Sequence, residues 1–463
     1  MKDWLRRDPI VITSGRGAVL RDVKGREYLD ANSSIWTNLH GHNHPKLNAA
    51  LRRQLGKIAH SSALGFANEP ASLLAAELVR ATGIYDSRMT IDGRPRPAVR
   101  QSSIINHSLN KVFFSDDGST ALEVALKLAY EFARRARGIK QPRFLSLEGA
   151  YHGDTIGAVS LGHIDLFHKS YGKLLFKSDK VMSPYCYRCP FNRAQPERTD
   201  AREYRKCKGE CVDLVERAFE TKKKRGEPYA AFVVEPLMQG AAGMIPQPVG
   251  WLRQTTDIAR THGAQLIADE VMTGFGRTGA TFATTHNGVN PDYLCLAKGL
   301  TGGYLPMAAT LTTQEVFNAF LGEHEEFKTF FHGHSYTGNQ LGAAAAQASL
   351  QLLQSKASLR ARVSLQRAMS KALDSLWSLP QVGDIRQVGL IAGVELVRNW
   401  RTRQPFALRE RAGIRVCEAM AKRGVLTRPI GNVIVIMPPF CTTPTQARRM
   451  VAALFESVEE VFG

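Results

Sequence analysis

Short apolar runs punctuate the middle of the chain at residues 111–114, 143–147, 231–234, 265–268 and 293–296. Each spans four or five residues rich in Val, Ile, Leu and Phe. Runs of that length and composition predict strands. Between them apolar positions recur at helical spacing, as at 120–136 and 251–262. Strands alternating with helices predict an α/β fold, with a mostly parallel sheet covered on both faces.

The two ends of the chain read differently. Residues 17–30 have the pattern of a hairpin, with a turn at 22–25 where Asp22 and Gly25 supply the turn chemistry. From about residue 346 long helical patterns are followed by strands at 389–396 and 433–437. These ends, 1–62 and 346–463, are expected to form a smaller α+β domain beside a large domain of residues 63–345. Residues 184–228 are charged, contain cysteines and interrupt the alternation, so a surface insertion is expected there.

Composition narrows the class of protein. A chain of 463 residues suits about two or three structural units. With 44% hydrophobic and 22% charged residues it can build a large core. Residues 1–9 are charged and lack the apolar stretch of a secretory leader. No apolar window reaches membrane-spanning length, so a cytoplasmic protein without a membrane partner is expected. The net charge of +19 attracts anions, but the basic residues are spread out and no aromatic-interleaved basic motif occurs. Nucleic acid is therefore not an expected partner.

Three segments carry candidate chemistry. Residues 113–123 read as strand, tight turn and helix start, with Thr120 and Glu123 spaced as a capping box. Gly118 permits close backbone approach there, Ser119 offers a hydroxyl, and a helix start favours a phosphate. An ordinary strand-to-helix turn has the same look. Asp269 ends an apolar strand, at the sheet edge where doubly wound proteins hold ligands, although a loop-capping Asp sits there too. Lys298 ends another strand before a Gly-rich loop. Most lysines are solvated, but burial would lower this one's pKa and leave a neutral amine able to attack an aldehyde.

Together these segments resemble the class III aminotransferases. The resemblance rests on the sequence 269–279, on 292–303, and on the shorter runs 148–154, 233–236 and 332–339. It implies a fold-type I transferase dependent on pyridoxal phosphate. By resemblance, Lys298 holds the cofactor covalently and then moves a proton. Asp269 faces the pyridine nitrogen, Gly118 and Ser119 bind the phosphate, and Tyr151 covers the ring. Ser335 stands where the family usually has a Thr that reaches the neighbouring subunit's phosphate, which implies a homodimer.

Residues 33–36, 40–45, 424–431 and 437–440 are similar to the branch of the family that aminates 8-amino-7-oxononanoate in biotin synthesis. The likeness implies that Arg428 binds the substrate carboxylate and that Trp36 and Gly333 line the substrate site. Ile35 departs from that branch, which often has a second Trp there. The branch also usually carries a Tyr on a longer amino-terminal segment, so that contact is expected from elsewhere. S-adenosylmethionine and L-lysine are both open as amino donors, with residues 161–167 and 330–340 leaning to lysine. Other readings are an ω-amine transaminase, a racemase or aminomutase, and a binding protein on an inactive scaffold. Intact Lys298, Asp269, Gly118 and Ser119 weigh against the last.

Seven cysteines in such a protein are thiols or metal ligands sooner than disulfides. Cys186 and Cys189, then Cys207 and Cys211, have metal-ligand spacing, so four thiolates there would hold a structural zinc. The other reading is a set of free thiols.

Overall fold

In the computed structural model, which describes residues 8–83 and 108–463, all five apolar runs fall in strands of one seven-stranded sheet. Its spatial order is Leu109–Ser115, Ala308–Thr313, Tyr293–Leu296, Gln265–Asp269, Tyr229–Val234, Arg143–Leu147 and Asp179–Val181. Ala308–Thr313 is antiparallel to both neighbours, and the other pairings are parallel. Every residue of Tyr229–Val234, Gln265–Asp269 and Tyr293–Leu296 is buried. Strands covered on both faces need no polar side, which is why they read as unbroken apolar runs.

The covering helices divide by side-chain parity. Ala231 and Val233 pack with Leu122 and Ala125 of the helix Gly118–Arg137. Phe232 and Val234 face the other way, onto Val215 and Phe219 of Glu210–Lys224 and Trp251 of Trp251–Thr261. Burying a side chain such as Phe232 stabilises by roughly 1.5–3 kcal/mol. The stretch 184–228, expected as an insertion, contains two different parts. Only its first part forms a small cluster of its own, around Cys186, Tyr187, Ala194, Ala201 and Tyr204. Glu210–Lys224 is a regular covering helix, and its many charges mask the buried pair Val215 and Phe219, spaced i and i+4.

At the chain ends, Val19–Asp22 and Glu27–Asp30 pair antiparallel around the expected turn. Gly25 adopts φ 79° there, and the Asp22 carboxylate accepts the amides of Lys24 and Arg26, each at 2.9 Å. Val425–Leu426 joins the same sheet, parallel to Glu27–Asp30, so both ends of the chain meet. A second sheet holds Val382–Val388, Ile391–Asn399, Val433–Ile436 and Pro429–Ile430. The helix Gln340–Gln354 runs without a break through the border expected at 345/346. Residues 1–7 of the expected small domain, which include most of the charged start, and 84–107 of the expected large domain lie outside the described residues. Among the described residues no helix is long and apolar enough to cross a membrane.

Candidate active site

The strand ends of the central sheet open on a cleft of about 440 Å³, within the roughly 300–1,000 Å³ range of small-molecule sites. Lys298, Asp269, Tyr151, Gly118, Ser119 and Trp36 all line it. These residues are distant in sequence and meet because each follows, or leans over, the end of a strand.

Asp269 and Lys298 come from adjacent parallel strands. Asp269 pairs in register with Cys295, and Lys298 follows three residues later. Lys298 has φ 34°, in the left-handed region, a strain on the order of 1–3 kcal/mol that persists only where the surroundings enforce it. Its Nζ stands 5.0 Å from the ring centre of Trp36. Burial lowers the amine below the ordinary lysine pKa, against the opposing charges of Asp269 and Glu235.

The Asp269 carboxylate is held from two sides. Oδ2 accepts from His152 Nδ1 at 2.7 Å, and Oδ1 accepts the Val271 amide at 3.1 Å. Burial opposes a charge on His152, but the hydrogen bond and the charge of Asp269, aided by Glu235, raise its pKa above the ordinary value. Glu235 is buried in the same cleft and accepts the Gly240 amide at 2.8 Å. Burial, with Asp269 adding repulsion, pushes its carboxyl up to about 7. Sequence reasoning did not single out His152 or Glu235, although both lie inside runs that carry the family resemblance.

The helix Gly118–Arg137 starts in the cleft. Its cap is Asp117, whose side chain accepts the Thr120 amide at 2.9 Å while the Thr120 hydroxyl accepts the Asp117 amide at 2.9 Å. This corrects the capping box expected between Thr120 and Glu123: the helix begins earlier. Glu123 instead accepts from the Thr155 hydroxyl at 2.5 Å and the Ala158 amide at 3.1 Å. Gly118 and Ser119 are the first helical residues, so their amides have no partner within the helix and favour an anion. Ser119 Oγ accepts the Asp154 amide at 2.8 Å, which leaves its own hydrogen free to donate. Gly118 is needed for a reason sequence did not reveal: a Cβ there would fall 2.7 Å from Val271 Cγ1.

Tyr151 lines the cleft with its ring backed by His168, stacked at 6.3 Å between centroids and 10° between planes. Its hydroxyl donates to Asp154 Oδ2 at 2.8 Å, and burial together with that carboxylate keeps the phenol protonated.

Three expected residues stand outside this cleft. Gly333 and Ser335 are exposed on the loop before Gln340–Gln354, where the Ser335 carbonyl is 2.9 Å from His60 Nε2. Arg428 is exposed just before Pro429–Ile430. Ile430 and Trp36 nevertheless pack against one cluster built on Met238, Met244, Met272 and Met437.

Cys186, Cys189, Cys207 and Cys211 line a separate cavity of about 270 Å³. Among the described residues, no group of three or more His, Cys, Asp or Glu is arranged to hold a metal ion. The expected zinc is therefore not supported: the thiols share a cavity without converging on one point.

The cleft's donor set fits pyridoxal phosphate. It combines an amine with a lowered pKa, a buried carboxylate, an anion-favouring helix start and a flat aromatic wall.

Comparison with known proteins agrees. The profile of the family described as Aminotransferase class-III matches residues 2–458. The chain is 44% identical to adenosylmethionine-8-amino-7-oxononanoate aminotransferase of Geobacter sulfurreducens, over all of this chain (100%) and 95% of that protein. It is 39% identical to the protein of that name from Methanocaldococcus jannaschii, over 99% of this chain and 95% of that one. The solved structure of a Methanocaldococcus jannaschii protein of that name superposes with TM-score 0.85 at 37% identity, over 99% of this chain and 95% of that one. A PLP-bound amine transaminase from an uncultivated Pseudomonas species gives TM-score 0.85 at 31% identity, over 98% and 96%.

Proposed function

The chain belongs to the class III aminotransferases, and from that membership we propose that it converts 8-amino-7-oxononanoate to 7,8-diaminononanoate in biotin synthesis. The meeting of Lys298 and Asp269 in one cleft with the Gly118 helix start carries the chemistry. The acceptor is supported by relatives, similar over nearly their whole length, that bear it in their names.

Pyridoxal phosphate, when bound, supplies the electron sink. Lys298 holds it through its amine, whose lowered pKa favours the neutral nucleophile. With the cofactor bound, Lys298 Nζ would be the base that takes the donor's proton and later returns one to the acceptor side. Asp269, oriented by His152, would pair with the ring nitrogen. The amides of Gly118 and Ser119 and the Ser119 hydroxyl bind the phosphate. Tyr151, backed by His168, covers one ring face. Trp36 walls the substrate side, and Arg428 receives the acceptor carboxylate, for which its planar fork suits. Gly333 and Ser335, facing outward, serve the cleft of a second copy in a homodimer, with Ser335 reaching its phosphate. Large exposed apolar groups nearby, Phe331 and Tyr336 on that loop and Leu64 and Phe66 beyond His60, support a covered face.

S-adenosylmethionine is the first donor to offer, since the relatives are named for it. The lean to lysine has weak support. Residues 330–340 and 161–167 are absent from the cleft lining, although Phe167 stands edge-on to Tyr151 at 5.9 Å. The test is to offer 8-amino-7-oxononanoate to purified protein with each donor and look for the diamine. Product with one donor supports the reading. No product with either, alongside turnover of simple ω-amines, overturns the acceptor and leaves the aminotransferase chemistry standing.

A further inference from the structure

Trp36 ends a turn with unusual backbone. Ser33, Ser34 and Trp36 have φ 47°, 62° and 68°, all left-handed and none glycine. Such residues persist only where neighbours over-determine them. The neighbour here is Asp30, a buried residue at the end of Glu27–Asp30. Its Oδ1 accepts the amides of Asn32 at 3.1 Å and Ser34 at 3.0 Å, and its Oδ2 accepts the Ser34 amide at 2.8 Å.

A fourth contact, from His42 Nε2 to Oδ2 at 2.9 Å, holds the carboxylate from the far side. The tautomer of His42 follows from its other nitrogen. Asn38 Oδ1 accepts the Gly41 amide at 2.8 Å, so the Asn38 amino group is the end that meets His42 Nδ1 at 2.9 Å. Nδ1 therefore accepts and Nε2 donates. From Asp30 the connection runs on to the indole: Asn32, its amide fixed by Asp30, accepts from Trp36 Nε1 at 3.0 Å through its side-chain oxygen. The indole thereby rests 5.0 Å from Lys298 Nζ and beside Met272.

We propose that Asp30 is a positioning residue of the reaction: its carboxylate, shared by two backbone amides and His42, fixes the strained turn that sets Trp36 over the Lys298 amine. This rests on the reading above that Trp36 walls the substrate site. It also gives a purpose to the His40–His44 segment, which the chemistry otherwise leaves unused. Asp30 is not among the residues that line the cleft, so its effect travels through the turn.

The test uses holoenzyme and any donor and acceptor pair it turns over. Asp30→Asn keeps the size but presents an amino group to N–H donors. Bound cofactor absorbance stays unchanged, while KM rises roughly three- to tenfold, the scale of a lost hydrogen bond, with a smaller fall in kcat. Trp36→Phe produces a comparable rise. The double variant is no worse than Trp36→Phe alone, because the two residues act in series. Should Asp30→Asn fail to fold, Asn32→Ala removes only the link to the indole and is expected to raise KM in the same way. Unchanged KM in the foldable variant, or defects that multiply in the double variant, overturns the proposal. If Trp36→Phe itself leaves every KM unchanged, the placement of the substrate fails first.

Discussion

His152 donates its Nδ1 hydrogen to the Asp269 carboxylate at 2.7 Å, and both side chains are buried. A buried imidazole alone would favour the neutral form. The hydrogen bond to Asp269 and the charge of that carboxylate raise the His152 pKa against that burial, which favours the charged imidazole beside the carboxylate.

Removing the histidine strands the carboxylate. Breaking one side of a buried pair costs about 3–5 kcal/mol. His152→Ala is expected to lower the denaturant midpoint and to lose cofactor on dialysis. Unfolding curves and cofactor content by absorbance measure both, and wild-type values in both contradict the pairing.

The same pair sets a pH dependence. The folded pKa of His152 lies above the unfolded value near 6.5. Its contribution to stability is then complete below about pH 6.5 and is lost as pH rises through the folded value. The stability gap between wild type and His152→Gln is expected to be widest below about pH 6.5 and to narrow as pH rises above it. Denaturant unfolding across a pH series reads it, and a gap that widens with pH speaks against the pair.

Gly118→Ala drives a methyl into Val271, 2.7 Å from Cγ1. Overpacking of this kind costs about 1–3 kcal/mol. Cofactor affinity is expected to fall with stability, and Gly118→Ala with Val271→Ala is expected to recover part of both. No recovery in the double variant means that Val271 is not the reason for the glycine.

Five of the seven strands of the central sheet were legible because they are short apolar runs, three of them buried along their whole length, whereas Asp179–Val181 and the Thr-rich Ala308–Thr313 were not. Asp269 and Lys298 were legible because each ends such a strand. The partnership of His152 with Asp269 was not, since 117 residues separate them and neither spacing nor composition links the two. The need for Gly118 was hidden for the same reason, its partner Val271 lying on another strand end. The helix Glu210–Lys224 was not legible because charge surrounds its two buried apolar residues. The cysteine spacing looked like a metal site because spacing says nothing of where four sulfur atoms point.

Arg428 is exposed beside the cluster that backs Trp36. If it receives the acceptor carboxylate, Arg428→Ala raises the acceptor KM about tenfold or more, the worth of a charge-assisted hydrogen bond, and leaves the reaction with a carboxylate-free amine unchanged. Steady-state kinetics with both substrates separates the cases. An equal loss for both means that Arg428 acts on the fold.

The proposed chemistry depends on Lys298 as the residue that holds pyridoxal phosphate. Reducing the holoenzyme with borohydride and mapping its peptides by mass tests this directly. The cofactor's mass is expected on the peptide containing Lys298, with loss of the yellow absorbance and of activity, and Lys298→Ala is expected to form no adduct. An adduct on a different lysine, or full activity in Lys298→Ala, contradicts the account.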